Sequence, residues 1–296
     1  MARLLVLAIA VVAIAASATA WFHAGKKQNQ LIVTYSILPD PFHKRSFFAL
    51  PRTLKEANAG VDYWTPTVER PRDNTTIYCR EGDWRVCLLF DVQGSVAGIR
   101  LSVDRDEIQA SGLNLERVPE WADKWSSLRH GSVYSATVYF QSSEELAAGG
   151  RSLKKDDLTA PNGIYILHTD NVGFETDRLH VPTQESEAAS AGFTEQSCFF
   201  GMGKHYFQGL SKDSKCEDHR PYFLLYGPKT KELNGFGFVQ YGNATTNGRG
   251  WFEHPSAKVA KKIAPNSPAC LEDWVEKYGL FSLHVYFVSD PFWTFC

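Results

Sequence analysis

Three histidines in the second half of the chain have the chemistry to form a functional site. His205, His254 and His284 each stand next to or near aromatic residues in the sequence. Neutral imidazoles that converge on one surface can ligate Zn or Cu, and a histidine can also act as a general base. The sequence therefore predicts a metal site or a group of catalytic bases at these three positions.

Four neighbouring residues could complete such a site. Met202 and Glu253 are candidate extra ligands, and Tyr206 and Tyr286 are candidate hydrogen-bonding supports. The competing interpretation is that each histidine is a partly buried strand residue with a structural hydrogen bond. The absence of close ligand pairs such as H-x-H or H-E-x-x-H favours this alternative. Other histidines, His168, His180 and His219, are expected on the surface.

Further catalytic motifs are missing. The chain has no G-x-S-x-G nucleophile motif and no G-x-G-x-x-G phosphate loop. Acidic groups such as Asp104 with Glu107 could in principle serve glycoside hydrolysis, but that chemistry depends on a carboxylate separation that the sequence does not give. We predict that they are solvated turn residues. Tryptophans, Trp84 among them, could stack on a sugar or a flat apolar ligand, although core packing is the more common role.

The candidate histidines belong to a segment that echoes the first half of the chain. Residues 134–142 read YSATVYFQS, and residues 281–289 read FSLHVYFVS. Thr137 and Thr53 align with His284 and His205. Three further matches follow in the same order: 47–53 with 199–205, 88–98 with 224–235, and 121–125 with 274–278. Because ordered repeats indicate duplication, we predict module 1 at 21–145 and module 2 at 155–296.

The elements that must position these residues are mainly strands. Short β-branched and aromatic runs are separated by Gly, Pro, Asn and Asp, which is typical of β-structure. We predict two tandem duplicated β-sandwich or barrel-like modules with few short helices. The predicted helices are 121–128, 271–278 and one capped by Ser142 with Glu145. The predicted strands are 31–37, 86–90, 96–103, 133–140, 164–167, 222–226, 236–241 and 281–288.

The first 20 residues have the pattern of a signal peptide. One arginine precedes the apolar run 4–16, and Ala18-Thr19-Ala20 supplies the small residues of a cleavage site. We expect a mature chain that starts at Trp21 and is secreted to the extracellular space. The apolar run is short for a membrane span, and no later stretch could cross a bilayer.

All cysteines lie beyond that segment, and their even number predicts three disulfides. Spacing favours pairing neighbours, although connectivity cannot be deduced from sequence alone. The pairs favoured in this way are Cys79 with Cys87, Cys198 with Cys216, and Cys270 with Cys296.

Asn74 and Asn243 begin acceptor sequons for N-glycosylation. The whole chain has 31 Lys plus Arg against 33 Asp plus Glu. This balance argues against a nucleic-acid partner, because such partners call for a basic excess.

Two functions from different classes remain. The first is a secreted, disulfide-bonded, N-glycosylated protein with a binding or structural role, which could hold a small apolar, aromatic or carbohydrate ligand between its modules. The second is a secreted oxidoreductase, an oxidase or luciferase-like oxygenase, with a His-lined Cu or Zn site in module 2. Whether His205, His254 and His284 meet distinguishes the two.

Overall fold

The structure is a computed structural model that describes residues 27–34, 47–60, 63–69, 71, 73–126, 128–170, 174–243 and 250–296. Within these ranges the chain is mainly β, as predicted. The predicted signal peptide and cleavage site lie outside the described residues. Among the described residues, no helix combines the length and apolar character that crossing a membrane requires.

Two antiparallel sheets make up the fold. Sheet I contains β3 (Trp64–Pro66), β4 (Thr76–Arg80), β5 (Asp83–Phe90), β6 (Val96–Asp104), β7 (Ala122–Ser126), β8 (Gly131–Tyr139), β9 (Ile164–Thr169) and β10 (Glu175–Val181). Sheet II contains β1 (Ile32–Val33), β2 (Phe48–Ala49), β11 (Phe193–Phe199), β12 (Gly203–Gln208), β13 (Tyr222–Tyr226), β14 (Leu233–Tyr241) and β15 (Leu280–Tyr286).

Within the described residues, five short helices join or cover these strands. They are α1 (Leu54–Ala59), α2 (Arg105–Ala110), α3 (Ser143–Ala147), α4 (Ala257–Ile263) and α5 (Leu271–Tyr278), and single 3₁₀ turns occur at Glu185–Glu187, Cys216–Asp218 and Pro291–Trp293. The predicted capping box of α3 is confirmed, because the side chains of Ser142 and Glu145 each accept from the other residue's backbone N–H. The predicted helix at 271–278 is confirmed as α5.

The helix predicted at 121–128 is wrong, because this segment contains strand β7. Strand β9 pairs with β8 only at Val138 and Tyr139, which leaves the first part of β8 without a neighbour on that side. Strand β7 fills that edge, with Lys124 opposite Val133. Tertiary pairing therefore overrides the local pattern of this segment.

The two sheets share one strand order. Sheet I runs β3-β4-β5-β6-β8-β9-β10, and sheet II runs β11-β12-β13-β14-β15-β1-β2. The registers also correspond strand by strand. The matching pairs are Leu89 opposite Gly98 with Leu225 opposite Gly235, Gly98 opposite Tyr139 with Gly235 opposite Tyr286, and Ile77 opposite Leu89 with His205 opposite Leu225.

Each half of the sequence completes the other half's sheet. Strands β1 and β2 precede residue 145 and occupy the sixth and seventh places of sheet II, whereas β9 and β10 follow residue 155 and occupy those places in sheet I. Strand pairs are thus exchanged between the two halves of the chain, and neither half forms a complete sheet from its own described residues. The division into modules at 21–145 and 155–296 stays a prediction. Common descent of the two units stays a prediction.

These registers confirm two of the four sequence matches as equivalent positions and revise the others. Strand β12, which carries His205, corresponds to β4, so Ile77 rather than Thr53 is the counterpart of His205. Thr137 is the counterpart of His284, as the sequence indicated. The match of 121–125 with 274–278 joins a strand to a helix.

Glycine occupies the same place in both sheets for a steric reason. A Cβ on Gly98 would lie 2.5 Å from the Val138 carbonyl oxygen, and a Cβ on Gly235 would lie 2.3 Å from the Val285 carbonyl oxygen. Both distances are shorter than van der Waals contact. The close approach of the neighbouring strand therefore explains why glycine recurs in these two matched segments.

The sheets pack face to face around aromatic side chains. The Phe140 ring of sheet I lies 6.2 Å from that of Phe236 and 5.6 Å from that of Phe287. Tyr222 Oη donates to the Thr137 carbonyl oxygen at 3.3 Å across the same layer. On the outer face of sheet II, α4 and α5 bury Ala260 and Leu271.

A buried charge also ties the two halves together. Glu120, which is fully buried, lies before β7. Its Oε1 accepts from Gln208 Nε2 at 2.7 Å and lies 2.8 Å from Arg220 Nη2. His168 Nε2 of β9 lies 3.3 Å from the same oxygen. One carboxylate thus holds groups from β9, β12 and the segment before β13.

Three disulfides are present, as predicted, but two pairings differ from those that spacing favoured. Cys79 pairs with Cys87, as expected. The other two bonds are Cys198 with Cys296 and Cys216 with Cys270. The C-terminal segment lies beside the end of edge strand β11, where Gly201 N donates to the Thr294 carbonyl oxygen at 2.9 Å. Spatial proximity rather than sequence distance therefore decides these pairs.

Candidate functional site

A cleft of about 420 Å³ opens at one end of the two sheets. Its walls come from β5, β6 and α2 of the first half, and from β15, α5 and the loops after β14 of the second half. The lining residues are Trp84, Arg85, Ser102, Val103, Asp104, Glu107, Ile108, Ser111, Gly242, Asn243, Phe252, Tyr278 and Phe281. Small-molecule sites commonly have volumes of about 300–1,000 Å³ and lie between domains, so the cleft has the size and place of a ligand site.

Alternation at the start of β5 directs Asp83 and Arg85 to the same side of the strand. Arg85 Nε lies 2.9 Å from Asp83 Oδ1, and Arg85 Nη2 lies 2.8 Å from Asp83 Oδ2. Both side chains are nearly fully buried. The guanidinium also lies 5.2 Å from the ring centroid of Phe252. Arg85 Nη1 makes no hydrogen bond to the part of the chain that the structure describes.

The opposite wall carries carboxylates and hydroxyls around α2. Asp104 caps this helix by accepting from Glu107 N at 3.0 Å, and it also pairs with Arg129. The hydroxyls of Ser102 and Ser135 share a hydrogen bond of 2.8 Å. The polar groups of this wall are thus held in place by local backbone and side-chain contacts before any ligand arrives.

Aromatic side chains form the remaining surface of the cleft. Phe252 packs edge to face on Phe281, with ring centroids 5.7 Å apart. Trp84 and Tyr278 are partly exposed and stand at the opening. Asn243, the predicted glycosylation site, is exposed on the same rim, and Asn74 is exposed in the turn before β4. Glycosylation at either residue stays a prediction.

Two of the three predicted histidines meet on the outer face of sheet II. The rings of His205 on β12 and His284 on β15 have centroids 6.2 Å apart, at an interplanar angle of 85°. The Phe223 ring lies 4.9 Å from that of His284. A small cavity of about 50 Å³ adjoins both imidazoles beneath α4 and α5. This space suits water molecules rather than an organic ligand.

His284 belongs to a polar group that is anchored by backbone pairing. Glu253 forms an isolated antiparallel bridge with Ser282, which brings its carboxylate beside β15. His284 Nδ1 lies 2.9 Å from Glu253 Oε2, and Ser282 Oγ donates to the same oxygen at 2.9 Å. This carboxylate orients the imidazole of His284.

His205 is in a different environment, because it is buried and neither ring nitrogen makes a well-formed hydrogen bond to the described part of the chain. Burial, helped by the nearby charge of His284, lowers the pKa of His205 to about 3, although the backbone of Ser197 and Gly203 acts in the opposite direction. His205 is therefore neutral at physiological pH. Burial also lowers the pKa of His219, which lines the same cavity, to about 4.

Of the remaining predicted site residues, His254, Met202 and Tyr206 lie apart from this pair, whereas Tyr286 contacts His284. His254 is exposed, and Met202 is buried in the turn between β11 and β12. Tyr206 Oη donates to Glu185 Oε1 at 2.7 Å, whereas Tyr286 stacks on His284 with centroids 5.9 Å apart. Within the described ranges, no group of three or more His, Cys, Asp and Glu residues has the geometry to hold a metal ion.

Sequence reasoning missed most of the cleft. It singled out Trp84 for stacking, but it assigned Asp104 and Glu107 to solvated turns and did not consider Arg85. The alternation of Asp83 and Arg85 around Trp84 was the available signal, since two opposite charges two residues apart on a strand share a face. The pairing of the two sheets, which the sequence did not reveal, is what assembles the cleft.

Comparison with known proteins identifies no relative. No protein-family model, no curated protein and no solved structure matches the chain.

Proposed function

We propose that the protein is a secreted, disulfide-bonded, N-glycosylated binding protein that holds a small ligand in the cleft between its two halves. The observation that carries this proposal is the cleft of about 420 Å³, to which both halves contribute aromatic and polar side chains. Three disulfides suit an oxidising compartment such as the extracellular space. The ligand is a small apolar, aromatic or carbohydrate molecule.

The cleft is supported as a binding site by how rigidly its walls are held. Strands β5, β6 and β15 are buried along almost their whole length, and Asp83 and Arg85 fix each other through two hydrogen bonds. A site that is formed in advance loses little conformational entropy when a ligand binds.

A thermal-shift screen tests the cleft without assuming the ligand's chemistry. The panel contains neutral sugars, fatty acids and aromatic compounds. A ligand that is present at about 100 times its Kd should raise the free energy of unfolding by about 2.7 kcal/mol. We expect the variant Ser111→Trp to lose that stabilisation, because Ser111 lines the cleft at the end of α2 and the indole would occupy the free space.

Ser190→Trp is the matched control. Ser190 is exposed outside the cleft, and its Oγ donates to the carbonyl oxygen three residues earlier, as that of Ser111 does. The control should keep the ligand response. A panel without any stabilising compound, or equal responses from both variants, would contradict the proposal.

The adjacency of His205 and His284 favours a second candidate, a secreted oxidoreductase with a Cu or Zn site in the second half of the chain. Two imidazoles supply two ligands, and Glu253 could supply a third if its contact with His284 rearranged. Under this candidate, the purified protein contains stoichiometric Cu or Zn by mass spectrometry, and His284→Ala loses it. The exposed His180→Ala variant should retain the metal, and a metal-free wild type would exclude this candidate.

A further inference from the structure

We infer that the cleft between the two halves recognises a neutral carbohydrate, and this inference rests on the proposed binding function. The sequence left apolar, aromatic and carbohydrate ligands open. The polar groups, the charges and the aromatic rings of the cleft walls distinguish among these ligand classes.

Polar side chains line much of the cleft. Apart from the aromatic residues and the predicted glycosylation site Asn243, five lining side chains carry nitrogen or oxygen donors and acceptors: Arg85, Ser102, Asp104, Glu107 and Ser111. A purely apolar ligand would remove water from these groups without offering a partner, and each polar group left unsatisfied costs binding free energy. A ligand with several hydroxyls replaces the lost water at each of them. The polar lining therefore disfavours a lipid or a hydrocarbon ring.

Charge also distinguishes among the ligand classes. Arg85 is neutralised by Asp83 through two hydrogen bonds, and Asp104 is paired with Arg129. Arg129 Nη2 also lies 3.2 Å from Asp106 Oδ2. Each buried charge of the cleft therefore already has an opposite charge beside it. A charged ligand at Arg85 or Asp104 would have to compete with an existing ion pair, whereas a neutral ligand leaves both ion pairs intact.

Aromatic side chains also line the cleft. Four rings, those of Trp84, Phe252, Tyr278 and Phe281, lie among the polar groups rather than in a separate pocket. A sugar ring has the matching chemistry, because its C–H face packs against an aromatic ring while its hydroxyl edge reaches donors and acceptors. A flat aromatic ligand could use the rings but not the polar edge. The combination points to a saturated, polyhydroxylated ring.

Isothermal titration calorimetry on the mature glycoprotein tests this inference with defined probes. The probes are a panel of neutral disaccharides that includes maltose, cellobiose, lactose and chitobiose, together with glucuronate and the apolar dye N-phenyl-1-naphthylamine. We expect at least one neutral disaccharide to bind, and glucuronate and the dye to bind at least tenfold more weakly. Trp84→Ala should weaken disaccharide binding at least tenfold, and Trp84→Phe should restore most of it.

Trp293→Ala is the matched control, since Trp293 is exposed in the 3₁₀ turn near the C-terminus and outside the cleft. It should bind like the wild type, and circular dichroism should confirm that every variant is folded. Binding of the dye or glucuronate in a Trp84-dependent manner, without disaccharide binding, would overturn the carbohydrate inference and leave the binding function standing. Failure of every probe here and of every compound in the thermal-shift panel would overturn both.

Discussion

Replacing Glu120 with alanine should lower the free energy of unfolding by about 1–3 kcal/mol, the range that is typical when a buried polar group is left without its hydrogen-bond partner. Glu120 Oε1 accepts from Gln208 Nε2 at 2.7 Å and from Arg220 Nε at 3.0 Å. Without the carboxylate, the buried amide of Gln208 loses its partner, whereas the guanidinium of Arg220, whose side chain is 31% exposed, can still contact solvent. Chemical denaturation followed by circular dichroism measures the change.

The control for this variant is Glu116→Ala. Glu116 is exposed and lies four residues earlier in the same segment, so its removal should change stability by less than about 0.5 kcal/mol. Glu120→Gln keeps the shape of the side chain and one acceptor oxygen. We expect it to lose less stability than Glu120→Ala and more than Glu116→Ala. If Glu120→Ala were as stable as Glu116→Ala, the buried carboxylate would not be a structural link between the two halves.

Acidification should destabilise the wild type more than a His205→Ile variant. Burial and the charge of His284 lower the pKa of His205 to about 3, against an ordinary value of 6.5. The unfolded chain therefore takes up a proton as the pH falls below about 6.5, while the folded chain stays neutral at this residue. The stability that His205 contributes is present above pH 6.5 and is lost progressively down to about pH 3, at about 1.4 kcal/mol per pH unit.

Isoleucine is the informative replacement because Ile77 occupies the equivalent position of sheet I. His205→Ile removes no well-formed hydrogen bond, and it leaves the neighbouring ionisable residues His284, Glu253 and His219 in place. The unfolding free energies of wild type and variant should be compared from pH 7 to pH 4. Their difference should widen in favour of the variant as the pH falls, and parallel curves would show that His205 does not remain neutral in the fold. His219→Leu should show a smaller effect, since His219 retains some exposure.

Local sequence pattern was sufficient for elements whose conformation depends on near neighbours. The capping box at Ser142 and Glu145 identified α3, and the run 281–288 was predicted as the strand that is observed as β15. Alternation along that strand places His284 and Tyr286 on one face. The hairpins after Phe90 and Tyr226 were also predictable, because their turns contain Gly, Pro and Asp. The equivalent strands β8 and β15 retain similar residues, so the repeat was visible there.

Partners that are distant in the sequence could not be predicted. Cys198 bonds to Cys296 and Cys216 to Cys270, because edge strand β11 lies beside the C-terminal segment and the turn at Cys216–Asp218 lies beside the start of α5. The segment 122–126 became a strand because the open edge of β8 accepted it. In each case the deciding interaction joins residues that no local window contains.

The same division holds for the candidate sites. The sequence by itself determined the β-rich class, the number of disulfides and the residues that could do chemistry. Only the tertiary structure decided which of them meet. Antiparallel pairing through β13 and β14 brought His205 near His284 and left His254 exposed. The two halves exchange strand pairs, and both contribute residues to the cleft. The physical reason is that strand order and sheet packing depend on contacts over the whole chain, whereas a sequence motif reflects only interactions between residues that are close in the sequence.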